Sequence, residues 1–134
     1  MRLVKQIEQA ALGPIYHLAI WLRGVSWRIR RPLLIGVRAL AAAEGVDDAL
    51  LAEWHRSQPD LPKRSEAAAR DNARKAWRFV GEMEEITAAF EAAGLPGDFH
   101  EAAAEIYRRL AVYKDATTPP SMADLVGPLT RRTS

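Results

Sequence analysis

Between Ser65 and Ala93 the apolar residues recur every three or four positions, a spacing that calls for a helix with one buried side. At about 100° per residue, Ala73, Ala76, Phe79, Val80, Met83, Ile86, Thr87 and Phe90 fall in one arc, and Asp71, Arg74, Arg78, Glu82 and Glu85 gather opposite. Such a segment must lay its arc against other helices. Beside it runs a second strip, Trp77, Gly81, Ala88 and Ala92, where a glycine one turn after a tryptophan would let another helix come close. No stretch of the chain alternates apolar and polar residues as a half-buried strand does. The expected fold class is therefore all-α, with about five to six helices.

Prolines, glycines and capping residues divide the rest. A first helix is expected over Leu3 to Leu12, stopping near Gly13-Pro14, and the stretch from Ile15 to Arg31 has no assigned form. Pro32 suits a helix first turn, and Leu33, Leu34, Val37, Leu40 and Ala41 then form a stripe ending at Gly45. Asp47 is the expected cap of a helix bearing Leu50, Leu51 and Trp54, and Ser57-Gln-Pro-Asp-Leu-Pro reads as a linker. Gly94-Leu-Pro-Gly ends the long helix. Asp98 and Glu101 have capping-box spacing for the next, whose buried face is expected to hold Phe99, Ala103, Ile106, Leu110 and Tyr113. Thr117-Thr-Pro-Pro connects to a short last helix, capped by Ser121 and Asp124 and running through Leu129.

The chain has 134 residues, enough for one domain with a real core, and no cysteine. That excludes disulfides, thiolate metal sites and cysteine nucleophiles, and it fits a cytoplasmic location. The apolar window from Ile15 to Trp27 contains His17 and Arg23 and is shorter than the roughly 20 residues a membrane span needs. Net charge is +2, but residues 1–39 hold seven Lys/Arg against one acidic residue, so the remainder is net acidic. Residues 1–31 are set apart as a basic segment from a helical domain over 32–134.

Chemical motifs are few. There is no Gly-x-Gly-x-x-Gly and no Walker loop, and Gly94-Leu-Pro-Gly97 lies between helices rather than after a strand. His17, His55 and His100 lack partner ligands at metal spacing and read as surface or boundary residues. Glu82, Glu84 and Glu85 lack the Glu-x-x-His of a bundle di-iron site and read as a solvated face, with Arg78 and Glu82 spaced for an i,i+4 ion pair. No metal site is expected. Lys75, Trp77, Arg78 and Glu82 are the candidate site, because cations beside an aromatic ring can hold a carboxylate or phosphate. The architectural alternative has Trp77 packing and Arg78 pairing with acidic neighbours. A second basic cluster, Arg23, Arg28, Arg30 and Arg31 interleaved with Trp21 and Trp27, raises a nucleic-acid or acidic-membrane contact, or simply a solvated segment.

Three stretches carry a resemblance: Val37-Arg-Ala-Leu-Ala-Ala-Ala-Glu-Gly-Val, Leu51-Ala-Glu-Trp, and the run from Lys75 to Leu110. From Leu33 to Lys114, about three fifths of the chain, the sequence resembles the C-terminal helical domain of bacterial NAD(P)-dependent oxidoreductases related to 6-phosphogluconate and 3-hydroxyisobutyrate dehydrogenases. In that family a Rossmann domain comes first, and the helical domain closes the active-site cleft and commonly mediates dimerisation. The resemblance implies a 6-phosphogluconate dehydrogenase C-terminal-like fold without a Rossmann domain. It also implies NAD(P) as cofactor of full-length relatives and none bound by this chain alone. The family's catalytic lysine lies on the interdomain helix. The corresponding region here, Met1 to Arg31, does not match it, so no catalytic residue is assigned and a truncated or rearranged gene is the expectation. The functional expectation is a substrate-side or dimerisation domain, not catalytic by itself, with a second copy or a Rossmann-containing chain as partner. The alternative is a small helical interaction module with a basic arm, ranked below it because the whole chain is only +2.

Overall fold

Pro32 does not open a helix; it stands in the middle of one. The structure, a computed structural model, describes residues 14–131, with side chains from Ala19 onward except at positions 26 and 27. Within it α1 runs unbroken over Pro14–Ala43 with Pro32 inside. The unassigned stretch up to Arg31 is thus helical, and the boundary expected between residues 31 and 32 falls within a helix. The expected helix over Leu3 to Leu12 lies outside the described residues.

A proline inside a helix frees the carbonyl four residues back, here that of Arg28, and a freed carbonyl in a buried place needs another donor. Tyr107 supplies it: its hydroxyl donates to the Arg28 carbonyl over a long 3.4 Å. The same device recurs near the C-terminus. Pro128 lies inside α6 (Met122–Thr130) and frees the carbonyl of Asp124, which accepts the Tyr113 hydroxyl at 2.7 Å. Two tyrosines six residues apart therefore repair the two helix-interior prolines.

The remaining helices are α2 (Asp47–Ser57), α3 (Leu61–Asn72), α4 (Ala76–Ala92) and α5 (Asp98–Leu110), with single 3-10 turns at Ala73–Lys75 and Ala111–Tyr113. Six α-helices and no strand are present among the described residues, as an all-α reading requires. Gly45 and Gly94 sit at φ 71° and 76°, the left-handed conformation that glycine adopts without steric cost, and each ends a helix where the sequence placed a stop. Pro62 lies in the first turn of α3, so the Ser57–Pro62 linker contracts to the break at Gln58–Asp60.

Three local expectations are corrected. The long helix expected from Ser65 to Ala93 is two helices, broken at Asn72, whose side-chain Nδ2 donates to the Ala68 carbonyl at 2.8 Å in competition with the backbone ladder. Asp47 and Asp98 are first-turn residues after Val46 and Gly97, and neither makes a capping hydrogen bond. Phe99, expected in the core, is 74% exposed, and His100 is buried instead. The Ser121–Asp124 capping box forms as read, with Ser121 N–H donating to Asp124 Oδ2 at 2.8 Å.

The core arc read from the sequence faces inward: Ala73, Ala76, Met83 and Ile86 are buried, with Phe79, Val80 and Phe90 packed against them. α4 and α5 form the most extensive pair, and α1 crosses α3, α5 and α6. Gly97 permits the tight turn between α4 and α5. A Cβ there would lie 2.8 Å from Thr87 Cγ2 and 3.1 Å from the Thr87 carbonyl oxygen. Ile35, Tyr107, Leu110 and Leu125 fill the centre.

Candidate functional site

The first turn of α4 directs Trp77 outward, 42% exposed. Two cations lie over its ring. Arg78 Cζ is 5.2 Å from the ring centroid, and Lys114 Nζ, just beyond the second 3-10 turn, is 4.5 Å away. Each such contact on an exposed ring contributes roughly 0.5–1 kcal/mol. Lys114 was not legible as a partner, because only the contact between the two 3-10 turns brings it there.

Glu82 belongs to a different arrangement. It turns toward α1, where Arg28 Nη1 lies 3.1 Å from Glu82 Oε2 without hydrogen-bond geometry. The Arg78–Glu82 ion pair expected from their i,i+4 spacing is therefore not made. Lys75 is exposed, and among the described residues no cation–ring contact joins it to Trp77. Of the four candidates, the structure brings Trp77 and Arg78 together, adds Lys114, and leaves Lys75 and Glu82 apart. The Trp77, Gly81, Ala88 and Ala92 strip is solvent-facing, with open space where a Cβ at Gly81 would point.

The strongest polar cluster was not singled out in the sequence. Arg38 is only 5% exposed and forks onto Asp47, with Nε donating to Oδ1 at 2.7 Å and Nη2 to Oδ2 at 3.0 Å. Its Nη1 reaches Ser65 Oγ at 2.8 Å and Glu66 Oε1 at 3.1 Å. Burial works most strongly against the charge, but Asp47 and Glu66 together more than offset it and hold the guanidinium pKa above its ordinary value. The cluster joins α1, α2 and α3, and every member is satisfied, which marks it as architecture.

A groove of about 570 Å³ opens between α1 and α3. Arg30, Arg31 and Arg64 line it, with the buried Asn72 at its base and Leu34 and Leu61 on its walls. Arg31 Nη1 donates to Asn72 Oδ1 at 2.9 Å.

His55 is exposed as expected, but His100 is not a surface residue: it is 4% exposed, its ring 4.9 Å from that of Phe90. Neither ring nitrogen has a hydrogen-bond partner, and burial lowers the imidazole pKa below its usual 6.5 even though the Val25 backbone pulls the other way. The His17 side chain lies outside the described residues. Among the described residues no three His, Asp or Glu side chains are placed to hold a metal, and no helix is long and apolar enough to cross a membrane.

Residues 41–110, more than half of the chain, match the family Domain of unknown function (DUF1932). The chain belongs to this family. DUF1932 is a domain found at the C-terminus of 3-hydroxyisobutyrate dehydrogenase-like proteins. The DUF1932 span ends short of the resemblance at both sides: it covers α2 to α5, including Arg64, Asn72, Trp77, Arg78 and Glu82, and excludes Lys114 and the arginines of α1. No curated protein and no solved structure matches the chain.

NAD(P), implied by the resemblance, does not fit the described residues. A dinucleotide pyrophosphate is held on a glycine-rich turn between a strand and a helix. Here the one glycine pair near that pattern joins two helices, and Gly97 is packed against Thr87 rather than open to a phosphate.

Proposed function

We propose that this chain is the substrate-side and association domain of a hydroxyacid-dehydrogenase-type system, and that it does not transfer hydride by itself. The observation that carries this reading is the DUF1932 match across α2 to α5, set beside a helical fold whose described residues offer no dinucleotide cradle. Two exposed surfaces support a role in association: Val37 and Leu40 on α1, and the Trp77 to Ala92 strip on α4. Trp77 with Arg78 and Lys114 would then present cations at the edge of a cleft completed by a Rossmann-containing partner, where anionic substrate groups are held. Purified chain mixed with NAD or NADP and a panel of small hydroxyacids should leave nicotinamide absorbance unchanged. Turnover above a no-protein blank would overturn the non-catalytic part of the reading.

The basic-arm alternative is weakened by where the arginines go. Arg28 pairs with Glu82, Arg38 is buried, and Arg23 and Arg30 are also engaged. Nucleic-acid contact requires guanidinium groups presented to phosphates, with binding that falls steeply as salt rises.

A further inference from the structure

We propose that the groove between α1 and α3 binds a small soluble organic anion, a carboxylate or phosphate head on a short aliphatic body. Its volume of about 570 Å³ lies within the roughly 300–1,000 Å³ of small-molecule sites. Arg31 from α1 and Arg64 from α3 line it from two helices, and its one lining carboxylate, Asp71, is paired with Arg70 at 3.1 Å. Basic side chains therefore outnumber carboxylates along its lining.

Arg31 is set in place before any ligand arrives. Asn72, 2% exposed, accepts from Arg31 through Oδ1 and anchors its own amide on the Ala68 carbonyl. One of the five guanidinium N–H groups is used in this way, so the group is oriented while donors remain for an anion. Arg64, exposed on α3 and in no ion pair among the described residues, is the second donor. Leu33, Leu34, Leu61 and Ala67 supply the apolar wall that selects an organic body over a bare inorganic ion.

The groove is formed by this chain alone. Its occupancy is thus independent of the proposed dehydrogenase partner, and a failure of either reading leaves the other standing. The test is a two-dimensional amide NMR titration of the purified chain with hexanoate and hexyl phosphate, using acetate and hexanol as controls. The expected result is saturable binding of a hexyl anion that shifts the Asn72 side-chain amide. Acetate, which lacks the body, and hexanol, which lacks the charge, should each bind at least about tenfold more weakly. R64Q, on the surface and harmless to the fold, should weaken binding by about fivefold or more. R74Q, outside the groove, should leave it unchanged. The proposal is overturned if neither hexyl anion saturates, if hexanol binds as well as hexanoate, or if shifts spread equally to Arg74 and Arg78. Equal affinity in wild type and R64Q would overturn it too.

Discussion

Neither ring nitrogen of His100 makes a hydrogen bond in the fold, although the Val25 backbone lies close enough to favour the proton slightly. The nitrogens are closed off from water in the first turn of α5, the Phe90 ring packs against the imidazole at a tilt, and burial disfavours its charged form. The unfolded chain takes up a proton near the ordinary pKa of 6.5, whereas the folded chain resists it, so the unfolded state binds more protons as pH falls. The contribution is fully present above pH 6.5 and is lost progressively as pH drops toward the lowered folded value. Urea denaturation at pH 7.5 and pH 5.5 should show wild type losing more stability than H100F over that interval. Equal losses would mean that the site admits the proton freely. The sequence placed this residue at the surface or boundary, and its burial was not legible. Phe99 and His100 are neighbours on the same first turn, and hydrophobicity favoured Phe99 for the core, whereas the angle at which α5 leaves Gly97 turns His100 inward. Arg38 was missed for a related reason: a lone arginine in an apolar stripe gives no local sign of partners that arrive from α2 and α3.

Prolines in helices show how elements depend on distant residues. Replacing Tyr107 by Phe leaves the Arg28 carbonyl without its donor and should cost about 1–2 kcal/mol, because the site is buried. In a P32A background the backbone N–H returns and satisfies that carbonyl itself, so the same Y107F change should cost measurably less. A double-mutant cycle in urea isolates this coupling from the cavity that P32A leaves. Additive effects within about 0.3 kcal/mol would contradict the repair. The cycle of P128A with Y113F makes the same prediction at Asp124, with a smaller coupling where the bond is exposed. The sequence-based reading opened a helix at Pro32 because local rules alone apply there, and the compensating hydroxyl lies 79 residues away. The break at Asn72 was hidden for the opposite reason: the apolar arc continues across it, and the Asn72 side-chain bond to the Ala68 carbonyl marks it only once the fold is seen. Stops at Gly45 and Gly94 and the cap at Ser121 were legible because each is decided within a few residues.

At the scale of the molecule, the fold class followed from periodicity, and the likeness to a C-terminal domain of dehydrogenase-like proteins from the stretch that includes α2 to α5, while the cation-bearing ring and the groove depend on helix pairing that no single segment encodes. The proposed role rests on association. The solvent-facing strip of α4 and the exposed Val37 and Leu40 of α1 give the chain apolar surface that the other described helices do not cover. A closed twofold dimer would bury such a surface against its own copy. Multi-angle light scattering of the purified chain at tens of micromolar, run beside V37E/L40E and G81E, tests this most directly. The account predicts a dimer for the unmodified chain and a helical monomer for at least one of the two variants. A monodisperse, fully helical monomer for the unmodified chain across that concentration range would contradict it.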